Sequence, residues 1–309
     1  MFFVALLVFL EIINVPLAKE KVESLAFLLT KKTFVNTPTS PPSALPLQIE
    51  TAPLFLPLKQ NKKEKPYLNA QGGIVIDLPT SQILFAQNIE KLFPIASLTK
   101  IMTALVALEN YNLKDILTVP PEAISVSGSK INLRTGERMT VENLLYGLLL
   151  YSGNDAAVTL SSGIGRENFV AKMNEKAKNL GLNSLFYQDE IGLDPQNTAN
   201  LKDLALLSSF ALKNPVFSKI VKTNETTIYS ADGQIAHPLK NTNRLLRDFP
   251  GTYGVKTGFT LEAGHCLIAA VQRGETKVLS IVVGAPADQF KESEKLLDWI
   301  FSSYRWYKL

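Results

Sequence analysis

Ser97-Leu98-Thr99-Lys100 places a hydroxyl and an amine three residues apart. On a helix, such residues are neighbours on one face. A serine hydroxyl is a weak nucleophile until a base takes its proton. A lysine is that base only when neutral, a form favoured by burial and by a nearby cation. At a helix start, unbonded backbone N–H groups are also available to polarise an acyl oxygen. Taken alone, this spacing more often marks a capping serine beside a surface lysine. It also occurs a second time, at Ser127-Gly128-Ser129-Lys130. The surroundings separate the two. Ser97 opens a run with Leu98, Ile101, Met102, Leu105 and Leu108 at helical spacing. Ser127 lies in a Ser/Gly-rich stretch that reads as loop. Ser97 is therefore the candidate nucleophile and Lys100 its candidate base.

Two later segments add polar groups. Ser152-Gly153-Asn154 interrupts two apolar helical runs. By itself it reads as an interhelix turn, but Ser152 could relay a proton and Asn154 could donate to and accept from a peptide backbone. Lys256-Thr257-Gly258 continues the strand-like Tyr253-Gly254-Val255. A glycine in a strand lets another backbone approach. Lys256 and Thr257 offer a charge and a hydroxyl suited to a carboxylate. An edge strand protected by a lysine is the plainer reading of that segment.

Other chemistries are excluded by counting. One cysteine, Cys266, makes neither an internal disulfide nor a thiolate zinc site. His237 and His265 form no H-E-x-x-H helix, and a Ser-His-Asp triad would have to use one of them. Net charge is +4, and residues 1–66 hold 8 Lys and 5 Glu, so the rest of the chain is nearly neutral. The densest basic run, Lys62-Lys63-Glu64-Lys65, is a solvated linker run, and no nucleic-acid partner is expected.

The order S-x-x-K, S-x-N, K-T-G is far more specific than any one segment. Pro94-Ile95-Ala96-Ser97-Leu98-Thr99-Lys100-Ile101-Met102-Thr103-Ala104, Ser152-Gly153-Asn154-Asp155-Ala156-Ala157 and Val255-Lys256-Thr257-Gly258-Phe259-Thr260 closely resemble the serine D-Ala-D-Ala carboxypeptidases. These are low-molecular-mass penicillin-binding proteins, within the penicillin-recognising serine enzymes. Gly192-Leu193-Asp194-Pro195 and Asn241-Thr242-Asn243 resemble further family segments.

The resemblance, over roughly Pro66 to Tyr304, implies a β-lactamase/transpeptidase-like fold and attack by Ser97 on the terminal D-Ala-D-Ala of a peptidoglycan stem peptide. It implies proton acceptance by Lys100 and proton transfer to the leaving amine by Ser152, with Lys256 setting that relay's electrostatics. Asn154 would bind the substrate amide, and Lys256 and Thr257 its carboxylate. An oxyanion hole would form from the N–H groups of Ser97 and Phe259, with Gly258 between the strand residues. β-Lactams would be covalent inhibitors, and the resemblance implies no metal or organic cofactor. A D,D-endopeptidase would use the same residues. A class A β-lactamase fits less well: it typically has S-D-N, and Gln188-Asp189-Glu190-Ile191 does not resemble its deacylating loop. A non-catalytic peptidoglycan-binding module would have no use for Lys100 beside Ser97.

Strand patterns at Gly73–Asp77 and Gln82–Ala86 precede the Ser97 helix. Thr140 is placed to cap a helix through Leu144, Leu145, Leu148 and Leu149. Phe169, Val170, Met173, Ala177 and Leu180 outline a helix stopped by Gly181, and Leu201–Leu212 outlines another. Strands return at Tyr253–Lys256, Cys266–Val271 and Val278–Val283, and a helix closes the pattern near Gln289–Tyr304. This is an α+β order: an antiparallel sheet, flanking helices and a helical subdomain.

Three parts are expected along the chain. Residues 1–18 form an export signal or N-terminal membrane anchor, too short and too interrupted by Glu11 and Asn14 for an ordinary span. Residues 19–65 form a Pro-rich linker, extended at roughly 3.1 Å per residue. Residues 66–309 form the catalytic domain. Many relatives continue into a β-rich domain and a C-terminal anchor, so the resemblance assigns any membrane attachment here to residues 2–18, and an extracytoplasmic location. If Ser97 is the nucleophile, Ser97→Ala abolishes covalent labelling by penicillin and Ser127→Ala retains it, as resolved by mass spectrometry of the labelled peptide.

Overall fold

A computed structural model describes residues 55–60 and 63–308. The N-terminal signal or anchor and most of the expected linker lie outside those residues. One piece of that linker range is a strand. Phe55–Lys59 (β1) pairs antiparallel with the last strand, so the described fold takes in residues before Pro66. Pro57 is tolerated there because this two-stranded ribbon leaves a free side, where no N–H is needed.

The chain continues through β2 (Gly72–Asp77), β3 (Ile83–Gln87) and β4 (Phe93–Pro94) to a 3-10 turn, Ala96–Thr99, which runs into α1 (Lys100–Asn110). The helical subdomain follows: β5 (Ile116–Thr118), α2 (Pro121–Ser125), β6 (Arg138–Thr140), α3 (Val141–Leu150), α4 (Asn154–Ser162), α5 (Arg166–Asn179), β7 (Thr198–Ala199), α6 (Leu201–Leu212) and α7 (Pro215–Lys222). A hairpin, β8 (Glu225–Tyr229) and β9 (Ala236–Lys240), precedes α8 (Leu245–Asp248). The chain then returns to the sheet as β10 (Thr252–Thr260), β11 (Gly264–Arg273) and β12 (Thr276–Ala285). It ends with α9 (Gln289–Ser303) and β13 (Tyr304–Lys308).

Five antiparallel strands form the central sheet in the order β10-β11-β12-β2-β3, so β10 is an edge. Side chains alternate across a strand, and here both faces are covered. Ile74, Ile76, Ile268, Ala270, Leu279 and Ile281 join the core shared with the helical subdomain. Val75, Leu267, Ala269, Val271, Val278 and Val282 join a second core beneath α9, with Leu296, Leu297 and Ile300. Two buried faces explain why these strands read as continuous apolar runs rather than alternating ones.

Helix starts follow local chemistry. Thr140 caps α3 through Asn143 N–H, Asn200 caps α6 through Asp203 N–H, and Asp288 caps α9 through the N–H groups of Phe290 and Lys291. The closing helix ends one residue short of Tyr304, whose hydroxyl donates to Leu84 O at 3.0 Å. Next to it, the Trp306 indole donates to Asp77 Oδ1 at 2.7 Å, and Asp77 is fully buried. Trp306→Phe leaves that carboxylate oxygen without a partner. It should cost about 1–3 kcal/mol in urea unfolding, and an unchanged midpoint would remove this contact from the account of the fold.

Candidate active site

Ser97 sits in the 3-10 turn rather than on the α-helix proper, with Lys100 as the first residue of α1. The turn is entered through Ala96 at φ +47°, a left-handed conformation that costs a non-glycine residue energy unless its surroundings enforce it. Here they do. Ile95 N–H donates to Asn197 O at 3.0 Å. Gly192, at φ +83°, passes so close that a Cβ on it would lie 2.0 Å from Ala96 O. The segment carrying Gly192 is itself tied by Asp189, whose carboxylate accepts from the N–H groups of Ile191, Gly192 and Asp194. Asn197 Nδ2 bridges Asp189 Oδ1 and Thr99 Oγ1.

This knot presents Ile191 O to Lys100. Lys100 Nζ donates to that carbonyl at 2.6 Å and lies 3.0 Å from Ser97 Oγ. The amine is completely buried, and burial pulls its pKa down to about 7 against the raising influence of Asp189, Glu190 and Asp155. Lys256 is also buried, and its pKa lies well below the ordinary lysine value, first through desolvation and then through the charge of Lys100. Two buried amines near one another favour the neutral form. An amine in that state can accept a proton from a hydroxyl within its reach.

Ser152 and Asn154 form the next wall. Ser152 adopts φ +65° and both residues are buried. Asn154 Nδ2 donates to Ser127 O at 2.6 Å, and its backbone N–H donates to Ser129 O at 2.7 Å. Among the described residues its Oδ1 is buried without a partner, an acceptor left open for an incoming N–H. Among the described residues, Ser152 Oγ makes no side-chain hydrogen bond, so the structure brings Ser152 to the cleft without tying it to either lysine. The second S-x-x-K is confirmed as loop: Ser127 serves through its carbonyl, and Lys130 Nζ turns to Ile124 O.

The third wall is the edge strand β10. A Cβ on Gly258 would stand 3.2 Å from both Ala96 Cβ and Ser97 N, so the missing side chain lets the strand lie against the nucleophile turn. Thr257 Oγ1 is 2.7 Å from Thr242 Oγ1. Sequence reasoning gave Thr242 no role of its own; Asn243 beside it donates to Gly254 O and so fixes this loop against β10. Phe259 is exposed and stacks on His265 with centroids 4.4 Å apart. Cys266 is buried packing, with its thiol pushed up to about 11 by burial, as expected of a non-reactive cysteine.

Ser97, Ser152, Asn154, Thr242, Thr257, Gly258 and Phe259 together line a cleft of about 350 Å³. A larger cavity, near 820 Å³ beside Gly251–Tyr253, contains none of the motif residues. Among the described residues, no group of His, Cys, Asp and Glu is arranged to hold a metal ion.

The D-alanyl-D-alanine carboxypeptidase family model matches residues 59–287. The chain belongs to that family. It is 35% identical over 250 residues to the D-alanyl-D-alanine carboxypeptidase DacF of Bacillus subtilis, covering 78% of this chain and 64% of that protein. It is 32% identical over 259 residues to a D-alanyl-D-alanine carboxypeptidase of Streptomyces sp. strain K15, covering 77% and 89%. The crystal structure of the Streptomyces K15 DD-transpeptidase superposes with a TM-score of 0.73 at 32% identity, covering 77% of this chain and 99% of that one. The fold is therefore the penicillin-binding, transpeptidase-type α+β fold that the motifs imply.

The surroundings of Glu190 argue against β-lactamase-like deacylation. Glu190 is spent on structure: its buried carboxylate accepts from Arg166 at 2.8 Å and Ser161 at 3.0 Å, and its backbone O accepts from Thr103.

Two outcomes follow from this geometry. Lys100, with a pKa near 7, is protonated below that pH and loses its capacity as a base. Penicillin acylation, followed by stopped flow, should be half-maximal near pH 7 and fall about tenfold per unit below it. A profile flat down to about pH 5 would mean another base. Gly192→Ala adds a Cβ at φ +83° against Ala96 O; it should lower stability by about 1–3 kcal/mol and acylation by at least about tenfold.

Proposed function

We propose that the chain is a serine D-Ala-D-Ala carboxypeptidase that removes the terminal D-Ala from peptidoglycan stem peptides. The observation that carries this reading is a fully buried Lys100 amine 3.0 Å from Ser97 Oγ, with its pKa lowered to about 7. A lysine in that state accepts the hydroxyl proton as Oγ adds to the carbonyl carbon between the two D-Ala residues. The C–N bond then breaks, the acyl group stays on Ser97, and the leaving D-Ala amine takes up a proton through Ser152. Water adds to the acyl-enzyme, and Ser97 leaves as the hydroxyl again.

The remaining cleft residues suit such a substrate. The open Oδ1 of Asn154 accepts a peptide N–H, and the paired hydroxyls of Thr257 and Thr242 face the terminal carboxylate. That carboxylate also favours the charged form of Lys256, whose proton affinity burial has reduced. The N–H groups of Ser97 and Phe259 supply the oxyanion hole, with Gly258 keeping the strand close. β-Lactams, which carry a strained amide and a carboxylate, acylate Ser97 in the same way. The reading places the enzyme outside the cytoplasm, held or exported through its N-terminal residues, where peptidoglycan lies.

The chain spans 64% of the length of DacF, so this activity is tested on the chain itself. The purified protein is given a pentapeptide ending in D-Ala-D-Ala and, separately, a cross-linked peptide dimer. Release of free D-Ala from the pentapeptide, lost in Ser97→Ala, is the expected result. Cleavage of the dimer alone would make the enzyme a D,D-endopeptidase. No release from either, with no penicillin adduct, would sink the reading.

A further inference from the structure

His237 and Glu137 form a buried pair that no step above uses. His237 lies on β9 and Glu137 just before β6, and both are buried. His237 Nε2 is 2.7 Å from Glu137 Oε1, and Nδ1 is 3.0 Å from Ile131 O. A carbonyl only accepts, so Nδ1 carries a proton. A second proton must then lie between Nε2 and the carboxylate, or two lone pairs would face each other in a buried site. The remaining oxygen of Glu137 accepts from Arg134 N–H at 2.9 Å. The pair thus grips one loop, residues 126–135, at two points.

Ile131 is where that grip meets the cleft. Its backbone N–H donates to Asp155 Oδ1 at 3.1 Å, and Leu133 N–H donates to the other oxygen of the same carboxylate. Its side chain lies under the S-x-N turn. A Cβ on Gly153 would come within 3.1 Å of Ile131 Cγ2, and one on Gly147 within 2.5 Å of Ile131 Cδ1. The same loop supplies Ser127 O and Ser129 O, which hold the side chain and backbone of Asn154. Asn154 is thus oriented by a loop whose position is set from the far side by His237.

We infer that the His237–Glu137 pair is a positioning device for substrate binding: it presses Ile131 against the Ser152–Asn154 turn and so aims the Asn154 amide at the substrate backbone. This rests on the carboxypeptidase reading. Asn154 binds the peptide and takes no part in bond breaking, so disturbing the pair alters substrate affinity more than turnover.

The test is steady-state D-Ala release from the pentapeptide by the whole chain. His237→Phe keeps the volume and removes both hydrogen bonds; KM should rise about tenfold with kcat within about twofold. Glu137→Gln should keep KM within about twofold of wild type, since its amide donates to neutral His237 while its oxygen still accepts from Arg134. Combined with Asn154→Ala, His237→Phe should add little, because both changes remove one interaction. A folded His237→Phe with unchanged KM overturns the inference, as does full additivity with Asn154→Ala. If His237→Phe does not fold, His237→Gln, which keeps one donor toward Ile131 O, is measured in its place. Failure of both to fold also overturns it, because the pair would then hold the whole subdomain and not one wall. An inactive wild-type chain would count against the carboxypeptidase reading instead.

Discussion

The site depends on a buried lysine amine held in contact with a hydroxyl, its proton affinity lowered by burial. An exposed lysine is protonated at neutral pH and useless as a base. Lys100 is sealed on all sides, and desolvation outweighs three nearby carboxylates. Those acids do not undo the effect because their charge is already committed. Asp155 faces the N–H groups of Ile131 and Leu133, Asp189 those of Ile191, Gly192 and Asp194, and Glu190 the Arg166 guanidinium. Each acid shapes a loop, and together the loops exclude water from the base.

Close backbone approach is the second requirement. Gly192 lies against Ala96, Gly258 against Ser97 N, and Gly153 and Gly147 against Ile131. Each glycine sits where two elements distant in sequence meet around the cleft. The K-T-G glycine in particular allows the edge strand β10 to lie against the turn that carries Ser97.

The parts legible in the sequence were those with local causes. The sheet strands and long helices carry periodic apolar residues, Thr140 caps where its type suggests, and the three motifs supply residues that the fold brings to one cleft. Ser97 itself lies on a 3-10 turn because Gly192 and Asn197 hold Ile95–Ala96 in place, a long-range effect that helical spacing does not register. Phe55–Lys59 was hidden among prolines: its strand character comes from Tyr304–Lys308, some 250 positions away. Thr242 and the His237–Glu137 pair were hidden for the same reason. A threonine in a polar loop and a histidine in a short hairpin acquire meaning only from what they touch.

The β1–β13 ribbon has a mechanical consequence. Phe55 pairs with Lys308 and Lys59 with Tyr304, so tension arriving along the residues before Phe55 meets this ladder before it reaches β2. Pulled from that end, an antiparallel ribbon opens one rung at a time, which takes little force per rung. Among the described residues the cleft is lined from the opposite sheet edge, the helical subdomain and the start of α9 at Gln289 and Phe290, with no residue of β1 or β13. Opening the ribbon would lengthen the lead to β2 by the five residues Phe55–Lys59 without removing any residue that lines the cleft.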